Sequence, residues 1–232
     1  MARAASAAPA TTIRVDHISL AVQNLYEGSA RFQAETGFGV GEGGWFPTLG
    51  GANRIAPLGD DTYIEIESVI DPFEIQRGNP GAVWFSKQVV DGDVFAGWSC
   101  RVSSRDEFEQ IAKRLKSDIV VGPLRSRPDG SVMIATRVPD SMKTWRKGLP
   151  SFFYTPDLAH HPSRVPVESV NKPTGLAWME VGGTEAEMSD WLGIPASTLP
   201  LRFVGGSHGL YAVGVNSARG VVEIRRKPIV IE

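Results

Sequence analysis

Three side chains carry most of the chemistry legible in this chain. His17 falls early on a predicted strand, in Val15-Asp16-His17-Ile18. Glu65 and Glu67 fall on a later strand of the same small unit, in Tyr63-Ile64-Glu65-Ile66-Glu67. Strand side chains alternate between faces, so Tyr63, Glu65 and Glu67 share one face and Ile64 and Ile66 the other. An imidazole nitrogen and a carboxylate oxygen, His17 with Glu65, suit Zn²⁺, Mn²⁺, Fe²⁺ or Ni²⁺. An ion held there would act as a Lewis acid on a substrate oxygen. The same groups serve without a metal, either as acid/base catalysts (His17, Glu65 and Glu67) or as a hydrogen-bonded His17–Glu65 pair lining a pocket. One divalent metal and none are both open readings at this level.

Candidate substrate contacts surround them. Arg54 and Arg101 carry guanidinium forks that match a carboxylate or phosphate. Alternation puts Arg101 on one face with Gly97 and Ser99. Arg125 and Arg127 are of the same kind. Tyr63 and Tyr154 offer phenol donors to a developing oxyanion. Trp45, Phe46, Trp84, Phe85, Trp98 and Phe152 could form the aromatic wall of a small-molecule pocket. The expected substrate-binding set is Trp45, Phe46, Asn53, Arg54, Tyr63, Trp98 and Arg101. His160 and His161 lie in a proline-rich stretch that reads as a surface loop, and His208 reads as a turn residue. The single cysteine, Cys100, lies on a predicted strand and reads as a small core residue rather than a nucleophile.

The elements that must position these groups repeat. Residues 13–22 alternate, placing Ile13, Val15, His17, Ser19 and Ala21 on one face and Ile18, Leu20 and Val22 on the other. Asn24 is a good N-cap for a helix over 25–36, and Gly37 stops it. A glycine-rich strand over 39–51 is interrupted by a loop with Trp45, Phe46 and Pro47. Strands at 52–58 and 62–69 flank the turn Gly59-Asp60-Asp61. A connector over 71–92 holds a short helix at 82–90. A second unit over 93–157 predicts a strand at 95–103, a helix at 105–116, strands near 119–126 and 131–138 about the turn Pro128-Asp129-Gly130, and a strand at 151–155. Residues 158–173 read as a loop. A third unit over 174–232 predicts a strand at 175–181, a helix at 184–192, and strands near 199–204, 208–215 and 220–226. Residues 1–12, rich in alanine, read as a disordered tail. The fold class is α+β: repeated βαβββ modules forming curved mixed sheets around a cleft, with helices outside.

This pattern resembles the vicinal oxygen chelate superfamily, and within it the glyoxalase-like domain proteins. Val15-Asp16-His17-Ile18 looks like that family's opening strand. Gly43-Gly44-Trp45-Phe46-Pro47 and Ala52-Asn53-Arg54-Ile55 look like its glycine-rich loop and third strand, and Tyr63-Ile64-Glu65-Ile66 like its ligand-bearing fourth. The likeness continues through Arg127-Pro128-Asp129-Gly130 and Pro150-Ser151-Phe152-Phe153 to His161-Pro162. The resemblance implies paired βαβββ modules, a cleft between them, and often a divalent metal that polarises substrate oxygens. Three usual ligand positions depart from the pattern: Gly97 stands where the second unit could repeat His17, Phe46 where similar sequences often carry histidine, and Thr155 where they often carry glutamate.

The bulk numbers set the frame. The chain has 232 residues, 42% of them hydrophobic, enough for a buried core. A formal net charge of −2 implies no basic face, so nucleic acid is not an expected partner. One cysteine permits no internal disulfide, and no stretch is long and apolar enough to cross a membrane, so the expected location is cytoplasmic. No Walker A loop, dinucleotide glycine motif, nucleophile elbow or zinc-cysteine spacing is present. Two functions follow. One is a lyase, isomerase or dioxygenase acting on a small oxygenated molecule. The other is a metal-free protein of the same fold that sequesters an aromatic metabolite or antibiotic. A vestigial interaction module is the third reading, and a homodimer stays open.

Overall fold

A computed structural model describes residues 13–121, 125–126, 132–133, 136–156 and 158–231. The expected tail 1–12, Arg127 and the turn Pro128-Asp129-Gly130 lie outside the described residues, as does the side chain of Arg125.

The first half runs β1 (Arg14–Ala21), α1 (Leu25–Thr36), β2 (Gly41–Phe46), β3 (Gly51–Gly59) and β4 (Thr62–Val69). Asn24 caps α1 by accepting from the amides of Tyr26 and Glu27, and Gly37 ends it in the left-handed region at φ 71°. Asp60 and Asp61 both take positive φ, which closes the two-residue hairpin between β3 and β4. Two short helices, α2 (Pro72–Gln76) and α3 (Pro80–Gln88), then lead to the second half. That half comprises β5 (Val94–Arg101), α4 (Arg105–Leu115), β6 (Val120–Val121), β7 (Arg125–Ser126), β8 (Val132–Met133), β9 (Thr136–Val138), α5 (Ser141–Trp145) and β10 (Ser151–Tyr154). Where long strands are expected near 119–126 and 131–138, the described residues show β6, β7, β8 and β9, and α5 is an added helical turn capped by Asp140.

The halves repeat one topology. The main sheet runs β2-β3-β4-β1-β5-β10-β9-β6. β1 pairs β4 in parallel, β5 pairs β10 in parallel, and β1 meets β5 antiparallel at the centre. Two βαβββ units thus share one curved mixed sheet, as expected. Helices α1 and α4 cover one face. α3 and α5 instead lie on the cleft side, where Trp84, Phe85 and Trp145 pack with Ala21 and Ala96.

The third segment keeps the chain order of strand, helix and three strands: β11 (Pro173–Val181), α6 (Glu185–Leu192), β12 (Leu201–Phe203), β13 (Leu210–Ser217) and β14 (Gly220–Arg225). Its neighbour order is β12-β11-β13-β14, so the helix-linked strands β11 and β12 are adjacent and parallel. The first two units place the last strand there instead. The sheet packs on the α1 and α4 side: Met179, Val181, Val213 and Val215 share one core with Ile18, Leu20, Phe32, Phe95 and Phe108. A final strand, β15 (Lys227–Pro228), joins the main sheet beside β5. No helix among the described residues is long and apolar enough to span a bilayer.

Candidate active site

The site is organised by a bulge in β1. Val15 pairs Cys100 and His17 pairs Ser99, so Asp16 is an extra residue opposite two consecutive ones. The alternation expected for 13–22 therefore reverses at Asp16. Ile13 and Val15 join Ile18 and Leu20 in the core beneath the helices, not His17 on the cleft side. Asp16 turns toward His17, and its Oδ1 lies 2.6 Å from His17 Nδ1. An ionised carboxylate only accepts, so Nδ1 carries the hydrogen and Nε2 faces the other way. There it meets Glu65 Oε2 at 3.9 Å. Tyr63 stacks on the His17 ring at 5.1 Å, and Phe153 packs edge-on at 5.5 Å.

Asp16 sits at the centre of a buried cluster. Its Oδ2 is 3.0 Å from His161 Nε2 and 3.3 Å from Arg101 Nη1. Burial by itself would raise the Asp16 carboxyl, but the hydrogen bonds from His161 and His17 hold it well below the ordinary carboxylate range. His161, read from sequence as a surface-loop residue, is fully buried, while His160 is exposed. Arg101, expected to orient an anionic substrate, is 5% exposed and engaged with Asp16, with Asp61 at 3.9 Å. Its charge is spent inside the protein.

Glu65 and Glu67 are both buried and both line a cavity of about 300 Å³. Asn53 Nδ2 donates to Glu65, and the Ser19 hydroxyl donates to Glu67. Asn53 Oδ1 in turn accepts from the Gly44 amide, tying the glycine-rich strand to the carboxylate. The opposite wall comes from α3 and α5: Phe85, Met142 and Trp145, with Phe46, Val120 and Val121 at the sheet ends. On the second half's cleft face, Ser99, Ser151 and Ser141 form a hydroxyl chain with Oγ separations of 2.7 and 3.2 Å.

The remaining expected contacts divide. Phe46 lines the cavity, Asn53 holds Glu65, and Tyr63 packs on His17. His17 stands one layer behind Glu65, 2% exposed, and is not among the residues of the cavity wall. Trp45 is 60% exposed. Arg54 follows Asn53 on the opposite side of β3 and lies over the Tyr26 ring of α1 at 5.8 Å. Trp98 is buried in the helix-side core opposite Ile18. Both point away from the cleft because strand neighbours alternate. Sequence reasoning missed Asp16, whose phase only the bulge reveals, together with His161, Ser19 and Trp145.

The metal expectation can be tested on the donor set. No group of three or more His, Cys, Asp or Glu side chains is placed to hold an ion among the described residues. His17 Nδ1 is committed to Asp16, and one oxygen each of Glu65 and Glu67 accepts a hydrogen bond. The position where the second half could repeat His17 is Gly97, and a Cβ there would stand 2.2 Å from Trp145 Cγ. The Trp145 indole occupies that space and donates to the Trp98 carbonyl at 3.0 Å. Among the described residues the second half brings serines rather than ligands to the cleft, and these residues do not fit the family's metal site.

Paired βαβββ units around one cleft, with carboxylates on its central strands, define a vicinal oxygen chelate fold. A glyoxalase-like domain model matches residues 15–193, and the chain belongs to that family. Two of the solved structures similar to this chain show the same architecture at low identity, and a third is similar over part of it. A hypothetical protein from Staphylococcus aureus is 14% identical with a TM-score of 0.64, covering 90% of this chain and 92% of its own. A xylose isomerase-like TIM barrel/4-hydroxyphenylpyruvate dioxygenase fusion protein is 13% identical with a TM-score of 0.50, covering 89% of this chain and 37% of its own. Methylmalonyl-CoA epimerase from Mycobacterium tuberculosis, 14% identical, covers 66% of this chain and 92% of its own at a TM-score of 0.44. No curated protein matches the chain.

Proposed function

We propose that the cleft is the active site of an isomerase- or lyase-type enzyme that moves a proton on a small oxygenated organic molecule. The observation that carries this reading is the placement of Glu65 and Glu67, both buried, on one wall of a single cavity. Two residues apart on a strand, their Cα atoms are about 6.6 Å apart. That spacing lets one carboxyl take a proton from a bound molecule while the other returns one nearby. Asn53 and Ser19 each hold one oxygen of a carboxylate and so fix how the two groups face the cavity. His17 braces Glu65 from behind. Phe46, Phe85, Met142 and Trp145 exclude water and grip the apolar body of the substrate.

Proton abstraction beside a carbonyl leaves an isotopic trace whatever the product. Incubation in D₂O with a panel of 2-oxo acids, hydroxyketones and 1,3-dicarbonyl compounds should load deuterium into one of them, read by mass spectrometry. Glu65→Gln and Glu67→Gln, folded by circular dichroism, should each lose the exchange. The apolar wall also favours a second reading, sequestration of an aromatic metabolite or antibiotic. That reading expects saturable quenching of Trp145 by aromatic compounds with no exchange in any member of the panel.

A further inference from the structure

We propose that His161, carried on the loop between the two sheets, is a positioning residue for the cleft. It acts by fixing Asp16 and Tyr63, the groups that orient His17 behind Glu65. Its effect on turnover rests on the proton-transfer reading above, but its geometry stands apart from that reading.

The hydrogen bonds of this cluster define a direction. The Ser163 backbone N–H points to His161 Nδ1 at 3.4 Å, and the Ser163 hydroxyl lies 2.8 Å from the same nitrogen. Nδ1 is therefore an acceptor and Nε2 carries the hydrogen. Nε2–H donates to Asp16 Oδ2 at 3.0 Å. Arg101 Nη1 lies 3.3 Å from the same oxygen; a guanidinium only donates, so its 3.0 Å approach to Nε2 is a contact between two donors that share Oδ2 rather than a bond between them. With Oδ2 held, Oδ1 is left to accept from His17 Nδ1 at 2.6 Å, and His17 Nε2 is presented to Glu65. A second path runs through the rings. His161 packs edge-on to Tyr63 at 5.4 Å, and Tyr63 stacks on His17 at 5.1 Å.

His161 thus anchors both Asp16 and Tyr63 against the His17 ring, which Phe153 also packs edge-on. His161 is not among the cavity-lining residues, and its side chain is fully buried. A residue needed only to fill space there would be apolar, because burying a polar ring is unfavourable unless its bonds are made. The backbone segment that bears it, 158–173, joins the second half to the third sheet.

The test is ¹⁵N NMR of the full chain labelled at histidine. The chain has four histidines, and His160→Gln, His161→Gln and His208→Gln assign the signals. In the wild type His161 should be protonated at Nε2 and bare at Nδ1, and His17 should be protonated at Nδ1. His161→Gln keeps a donor and should leave the His17 signals in place. His161→Leu keeps bulk without a donor and should produce a population of His17 with bare Nδ1. In the exchange assay His161→Leu should lower kcat about a hundredfold with KM little changed, the scale of a small misplacement of a catalytic group. The proposal is overturned by a His161 protonated at Nδ1, or by a folded His161→Leu protein whose His17 signals match the wild type. If His161→Leu does not fold, the wild-type spectrum and His161→Gln decide, and a shift of His17 to the bare-Nδ1 form in His161→Gln overturns it. These signals need no substrate, so absent exchange with the expected tautomers counts against the proposed function alone.

Discussion

Asp16 and His17 are chain neighbours on a strand, yet their side chains meet, Oδ1 to Nδ1 at 2.6 Å. Regular pleating sends adjacent side chains to opposite faces. The bulge at Asp16 removes that restriction and brings a buried carboxylate to the rear of the cleft. The extra residue in β1 therefore orients His17 and, through the bond from His161, is itself tied to a loop 145 residues away.

Asp16→Asn should be strongly destabilising. It leaves the buried Arg101 without its nearest counter-charge and His161 without its anionic acceptor, at a cost of about 3–5 kcal/mol. The sign of the pH dependence follows from the lowered carboxyl. A group whose pKa is lower folded than unfolded stabilises fully above its unfolded value, about 3.9, and loses that contribution as pH falls through the folded value. Urea denaturation of both proteins should show the full gap at pH 7 and a narrowing gap below about pH 4. A gap unchanged at pH 3 would mean that Asp16 contributes by shape alone.

Gly97→Ala should disturb the cleft more than a methyl group suggests. Its Cβ would stand 2.2 Å from Trp145 Cγ, so the indole must leave β5 and give up its bond to the Trp98 carbonyl. Overpacking of this kind costs about 1–3 kcal/mol. The Trp145 contribution to fluorescence, isolated by difference against Trp145→Phe, should shift to the red as the ring moves into the cavity.

Cys100 should be inert in the folded protein. Burial pushes its thiol far above the usual range, and the nearby Asp16 charge adds to this. The thiolate is the reactive form. Iodoacetamide at pH 8 should label the chain only after denaturant is added, and stoichiometric labelling of the native state would contradict the packing of β5 against β1.

Chelation should leave the protein unchanged. His17 and Glu65 are two potential ligands, and among the described residues no group of three or more such side chains is placed to hold an ion, short of the three or four ligands a tightly held divalent ion takes. Elemental analysis after dialysis against a chelator, with the thermal midpoint before and after, checks this. A stoichiometric metal that stabilises the fold and is lost in His17→Ala would place the reaction among the metal-assisted chemistries instead.

Much of the fold was legible because local physics writes it into short segments. Asn24 and Gly37 mark the ends of α1 by capping chemistry, and the hairpin at Asp60-Asp61 follows from turn residues that tolerate positive φ. The carboxylates Glu65 and Glu67 were readable as one wall because β4 keeps an unbroken period of two against β1. Where that period failed, so did the reading. Alternation put Val15 beside His17, and only the mispairing of β1 against β5 shows Asp16 as the extra residue.

Periodicity, caps and turns act within about ten residues of one another, so the βαβββ repeat, the family likeness and the pair of carboxylates on one face of β4 can be read from the residues themselves. What those groups can do depends on how the distant segments pack. That packing spent the charge of Arg101 on Asp16, turned Arg54 and Trp98 away from the cleft, filled the space above Gly97 with Trp145 and brought His161 under the site. Each depends on contacts between segments far apart in the chain, and those contacts exist only once the two halves and the third sheet have closed on a common core.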